Sequence, residues 1–180
     1  RAKVTSQQES SSALEERGVL DVTSLVGPEG GFVRRLRACG AVLLGKTKTV
    51  EFASGGLGIN RVRGTPWNPA DLETHRIPGG SSSGSAAAVG AGLCGLAVGS
   101  DTGGSVRIPA ALWGIFGLKT SAGLWPTDGV LPYSATFDSI GLLTRSAADA
   151  PPSPSRESPS PSPPRSGRRA RSFRYRVYQP

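Results

Sequence analysis

The sequence predicts an α/β fold, and three observations carry that prediction. Residues 32–44 read as an amphipathic helix, a stopping glycine and a short apolar run, the order in which α/β folds alternate their elements. Residues 86–99 are almost purely small and apolar and lie between two Gly/Ser loops, so they read as a buried helix leading into a short strand. Two further apolar runs, Ile115–Leu118 and Gly141–Thr144, have the length of strands.

Each element has a local reason. Residues 1–30 are polar and weakly patterned, with one helical turn at Ala13–Arg17 and turn chemistry at Gly27–Gly31. Phe32, Val33 and Leu36 fall on one helical face, Arg34, Arg35 and Arg37 face away, and Gly40 ends the helix. Ala41–Leu44 is uninterrupted and apolar, as a buried strand is. Residues 53–80 are a Gly- and Pro-rich loop that Trp67 and Leu72 are expected to pin to the body. Within Pro78–Pro109, loops Gly79–Ser85 and Ser100–Arg107 flank a small-residue run that is short of the roughly 20 residues a membrane span needs. A rigid segment of this kind holds two serine-bearing loops at a fixed separation. Ala110–Gly114 reads as a helical turn, and Gly123–Ile140 as a long connection containing Trp125 and Phe137. There is no internal repeat.

At 180 residues one domain is expected, occupying residues 1–150. From Pro151 the composition changes to Pro, Ser and Arg, which cannot bury a core, so 151–180 reads as a disordered tail. That tail holds seven of the 21 basic residues and one of the 13 acidic ones, hence +6 of the formal charge of +8. The body is near neutral, so anion or RNA binding is a reading of the tail alone. Cys39, Cys94 and a single histidine, His75, leave no material for a disulfide framework or a zinc site, so no metal and no cofactor is expected. No apolar leader opens the chain, which reads as cytoplasmic. It begins with Arg and contains no Met, and so reads as a fragment or processed product. The oligomeric state is not legible in the sequence.

Two motif matches fail on context. Gly40–Thr47 fits the phosphate-loop pattern letter for letter, yet its intervening residues are Ala-Val-Leu-Leu and a helix precedes rather than follows it. Lys46 then caps a buried strand. Gly80–Gly84 fits the nucleophile-elbow pattern, but Pro78-Gly79 precede it and His75 lies upstream, so a Ser-His-Asp triad cannot be assembled.

The stretch Asp101–Arg107 reads as a site. Gly103 and Gly104 leave backbone amides uncovered beside Ser105, where they can meet an oxyanion formed by attack of that serine. Ser81, in the other Gly/Ser loop, supplies a second hydroxyl that can relay a proton, provided a base stands behind it.

With PGGSSSGSAAAVGAGL followed by GSDTGGSVRIPAALWGIFGLKTS, the chain resembles the amidase signature family. The likeness extends back through RRLRACGAVLLGKTKTVEFASGG and forward through DGVLPYSATFDSIGLLTRS, covering most of residues 32–146. It implies a mixed β-sheet core surrounded by helices, incomplete here at both ends, and hydrolysis of a small-molecule amide through a Ser–cisSer–Lys triad. Family members act on fatty, indole or small dicarboxylic amides, or serve in the amidotransferase for misacylated tRNA. The resemblance puts the nucleophile on Ser105 and the bridging serine, preceded by a cis peptide, on Ser81. It puts the oxyanion amides on Thr102, Gly103, Gly104 and Ser105, and supporting roles on Asp101, Arg107 and Ser82. An Asp101–Arg107 pair of purely local purpose has the same sequence signature.

Two departures follow. Ser83 stands where many members have Gly. The family's lysine lies in an apolar strand, before an acidic residue, well upstream of the bridging serine. Lys3 is in about that place, but RAKVTS has neither feature, and Lys46 belongs to a later motif. The expectation is that the base is missing from this chain, that later strands are absent after residue 146, and that the chain alone is inactive or nearly so. The competing expectation is a non-catalytic fragment whose Arg-rich tail binds anions or RNA.

Overall fold

The computed structural model describes residues 28–68 and 70–150. Lys3, the turn expected at Ala13–Arg17 and the tail from Pro151 lie outside them. Helix α1 spans Gly31–Ala38. Phe32 and Val33 are buried and the three arginines are exposed, as the pattern requires. Gly40 takes a left-handed conformation (φ 78°), which lets its N–H reach Arg37 O at 2.9 Å while Ala41 N–H reaches Leu36 O at 3.0 Å.

The strand expected at Ala41–Leu44 does not form. The segment pairs with no strand among the described residues, and Val42 and Leu44 are 81% and 73% exposed. Apolar character alone does not make a strand; a ladder partner must satisfy the backbone. Lys46 therefore caps nothing and is exposed. The chain turns inward only at Thr49 and Val50, both buried.

Helix α2 (Ser83–Gly90) leads into β1 (Leu96–Asp101), α3 (Arg107–Trp113), β2 (Phe116–Lys119) and β3 (Ser139–Thr144). These match the expected helix-to-strand run, helical turn and two strands, with boundaries shifted by a few residues. The strand order is β1-β3-β2, and both pairings are antiparallel among the described residues. The last strand in sequence is thus the middle of the sheet, and all its residues are buried. Its run Ser-Ile-Gly-Leu-Leu-Thr can lie against protein on both faces.

Helices cover both faces. On one, Ala86 and Val89 of α2 and Ala110 of α3 pack with Val106, Ala97 and Leu143. On the other, Phe32 of α1 joins Trp125, Ile140 and Leu142, with the Phe32 and Trp125 rings 5.0 Å apart. Alternate residues of β3 serve opposite faces, as strand geometry dictates. Gly99 and Gly141 are cross-strand partners, and a Cβ built on either meets Val106 Cγ2 at 2.9 Å. The bare patch they leave is where Val106, fully buried, sits on the sheet.

Loop 53–80 is held otherwise than expected. Trp67 is 47% exposed and stacks on His75 within the loop at 4.3 Å, and Leu72 is exposed. The loop's ties to the body include two buried amides, Asn60, whose Nδ2 donates to Thr49 O at 2.7 Å, and Asn68, whose Nδ2 donates to Leu112 O at 3.3 Å. A buried amide satisfied by backbone fixes the loop more securely than a ring that finds a partner in its own segment.

Candidate active site

The two serine loops meet at the α2 face of the sheet. Ser81 and Ser82 immediately precede α2; Thr102–Val106 links β1 to α3. Ser82 N–H donates to Ser105 O at 3.1 Å, and Ser82 Oγ donates to Ser100 O at 3.3 Å. Behind them, Ser85 Oγ donates to Val98 O at 2.7 Å. Small side chains make this approach possible: a Cβ on Gly99 stands only 2.5 Å from Ser82 Oγ, and one on Gly84 meets Lys48 backbone atoms at 2.5 Å.

Ser81 is 1% exposed, and the Gly80–Ser81 peptide is cis. Its carbonyl accepts from Thr49 Oγ1 at 2.8 Å and from the N–H of Val50 at 3.0 Å and Ser83 at 2.9 Å. Its hydroxyl, in contrast, has no hydrogen-bond partner among the described residues, and neither has that of Ser83. A buried hydroxyl left unpaired costs about 1–3 kcal/mol. Such a group calls for an explanation, and a role in proton transfer is one.

Asp101 organises the other loop. It is fully buried, and five hydrogen bonds converge on its carboxylate. Oδ1 accepts from Gly104 N–H at 2.8 Å and Arg107 Nη2 at 3.0 Å. Oδ2 accepts from Val106 N–H at 3.1 Å, Arg107 N–H at 3.3 Å and Arg107 Nε at 3.1 Å. Burial pushes this carboxyl up, but the Arg107 guanidinium and the three amides outweigh burial and hold it below the ordinary carboxylate value. The same pairing raises Arg107. Asp101 is therefore ionised at neutral pH and braces the turn that carries Ser105.

One expected donor already has an acceptor: the Gly104 N–H donates to Asp101 Oδ1. The N–H groups of Thr102, Gly103 and Ser105 donate to no acceptor among the described residues. Three of the four expected amides thus remain available, on a loop where Gly103 is exposed and Ser105 half-buried.

Asp138 is a participant that sequence reasoning missed. Thr102 Oγ1 donates to its Oδ1, tying the loop to the turn before β3. Nothing local in the sequence signals this, since the contact spans 36 positions. A cleft of 510 Å³ is lined by Val50, Glu51, Phe52, Ser54, Asn60 and Arg61, and no residue of either serine loop lines it. Phe52 on its wall and the adjoining Ala53 hold left-handed conformations (φ 52° and 58°), an arrangement that non-glycine residues seldom adopt. His75 takes no part in either loop; its Nε2 lies 3.2 Å from Pro66 O.

Comparison with known proteins gives concordant matches. The family described as "Amidase" matches residues 23–152. A 2-amino-5-chloromuconic acid deaminase from Comamonas testosteroni is 49% identical over 120 residues, which is 67% of this chain and 26% of that protein. An indoleacetamide hydrolase from Pseudomonas savastanoi is 49% identical over 122 residues, 68% of this chain and 26% of that protein. Among solved structures, the peptide amidase from Stenotrophomonas maltophilia superposes with a TM-score of 0.63 at 43% identity, over 68% of this chain and 26% of that one. The chain thus spans about a quarter of the length of the relatives it matches.

Proposed function

The chain belongs to the amidase family, and from that premise we propose that it carries the serine half of an amide-hydrolysing site working through an acyl-enzyme. Ser105 Oγ attacks the carbonyl carbon of a linear amide, and the hydroxyl proton leaves towards Ser81. The tetrahedral oxyanion is met by the N–H groups of Thr102, Gly103 and Ser105. The C–N bond then breaks as Ser81 Oγ passes a proton to the departing amine, leaving Ser105 as an ester. Water attacks that ester along the same proton path, releasing the acid and restoring the serine.

The observation that carries this reading is the unpartnered, buried Ser81 hydroxyl in a loop hydrogen-bonded to the Ser105 loop. A relay needs an acceptor behind it. No described residue bonds to Ser81 Oγ, so the proton acceptor is proposed to be the neutral lysine of the family triad, of depressed pKa, supplied from outside the described residues. The chain without that lysine is proposed to be inactive or nearly so. The substrate is proposed to be a small linear amide.

The test is hydrolysis of an aryl amide by the intact protein, with its lysine, against Ser105→Ala and Ser81→Ala. Loss of at least about a thousandfold in kcat is expected for each. Turnover that survives Ser105→Ala overturns the reading.

A further inference from the structure

We propose that Asp138 is a positioning residue for the oxyanion-binding amides and acts through Thr102. The inference rests on the amide-hydrolase reading above. Its basis is the sheet register. The last rung of the β1–β3 ladder pairs Asp101 with Ser139. One step further along both chains, Thr102 stands opposite Asp138, where backbone pairing has stopped. Side chains continue the connection there: Thr102 Oγ1 donates to Asp138 Oδ1.

Asp138 is itself held. Its Oδ2 accepts the N–H of Tyr133 at 2.8 Å and of Ser134 at 3.0 Å, and its own N–H donates to Ser134 O at 2.9 Å. Beside it, Ser139 Oγ donates to Asp101 O at 3.0 Å. The stretch Thr102–Gly104 is therefore bonded to a carboxylate at each end, Asp138 through the Thr102 hydroxyl and Asp101 through the Gly104 N–H. Donors stabilise a developing oxyanion only if they are oriented before charge appears. Without Asp138 the loop is held only from its Gly104 side, by Asp101, and the Thr102–Gly103 peptide loses its anchor at Thr102.

A merely structural tie and a positioning tie differ in what they move. In aryl-amide hydrolysis by the intact protein, Thr102→Val and Asp138→Ala are each expected to lower kcat about 10- to 100-fold with KM changed less than about threefold. Thr102→Ser, which keeps the hydroxyl, restores most of the loss. The double variant is expected to be no worse than either single, because both remove one contact. Unchanged kcat in the singles, or losses that multiply in the double, overturns the inference. The Ser105→Ala control separates the two readings: if it retains turnover, the hydrolase assignment has failed; if it abolishes turnover while Asp138→Ala does not, only this inference has. Amide hydrogen exchange supplies a readout that needs no turnover. Protection of the Gly104 N–H is expected to fall about tenfold in Thr102→Val and Asp138→Ala while β3 is unaffected, and unaltered protection counts against the inference.

Discussion

The Ser82 N–H and the Ser105 carbonyl oxygen form a hydrogen bond of 3.1 Å, so two loops separated by helix α2 and strand β1 behave as one unit. Everything proposed for the site depends on that unit lying close against the sheet, and the closeness rests on absent side chains.

Gly99→Ala is expected to break the unit. The new methyl lands 2.5 Å from Ser82 Oγ and 2.9 Å from Val106 Cγ2, and neither atom is the end of a long flexible chain. A destabilisation of about 1–3 kcal/mol is expected from overpacking, together with loss of activity. Gly103→Ala is the control: its Cβ meets nothing within 4 Å, so stability changes by less than about 0.5 kcal/mol. Urea denaturation of the two variants checks the contrast.

Arg107→Leu leaves a fully buried carboxylate with its three backbone donors but without its cation. Two charge-assisted hydrogen bonds are lost. Because the arginine side chain is itself 52% exposed, a cost of about 2 kcal/mol is expected rather than the full value for a buried pair. The midpoint in urea should fall with an unchanged slope.

Acid should expose the same pair. The folded state holds the Asp101 carboxyl below its ordinary value. Its contribution is fully present above the unfolded value of about 3.9 and is lost as pH falls through the lower folded value. Stability owed to Asp101 is therefore flat from neutral pH down to about pH 5 and declines below about pH 4. Asp101→Asn should be less stable at pH 7, and its stability should decline less between pH 4 and pH 2. A parallel decline in both proteins would show that other carboxylates govern the acid limb.

Leu143→Ala removes the fully buried side chain that joins β3 to α2 and α3. A loss of about 2–5 kcal/mol is expected, the size depending on how far Val89 and Val106 collapse into the space. Thermal or urea unfolding measures it directly.

The cysteines should react in order of access. Cys39 is exposed, whereas Cys94 is half-buried against the α2 core and burial pushes its thiol up. Maleimide labelling followed by mass analysis should modify Cys39 first. Faster modification of Cys94 would contradict the packing described for it.

Much of this protein is legible from residue chemistry within a short window. The face of α1, the stop at Gly40, the small-residue passage from α2 into β1, and the two serine turns each follow from neighbours a few positions apart. So does the Asp101–Arg107 pair, six residues apart. What needed the folded chain are the facts that depend on a distant partner. Ala41–Leu44 has the composition of a strand yet finds no ladder among the described residues. Trp67 finds His75 instead of the core. Gly104 spends its N–H on Asp101, and Thr102 meets Asp138 because β3 aligns antiparallel to β1 and carries the two into register. Propensity is a property of a segment, whereas pairing belongs to two segments, and only packing brings the second one into place.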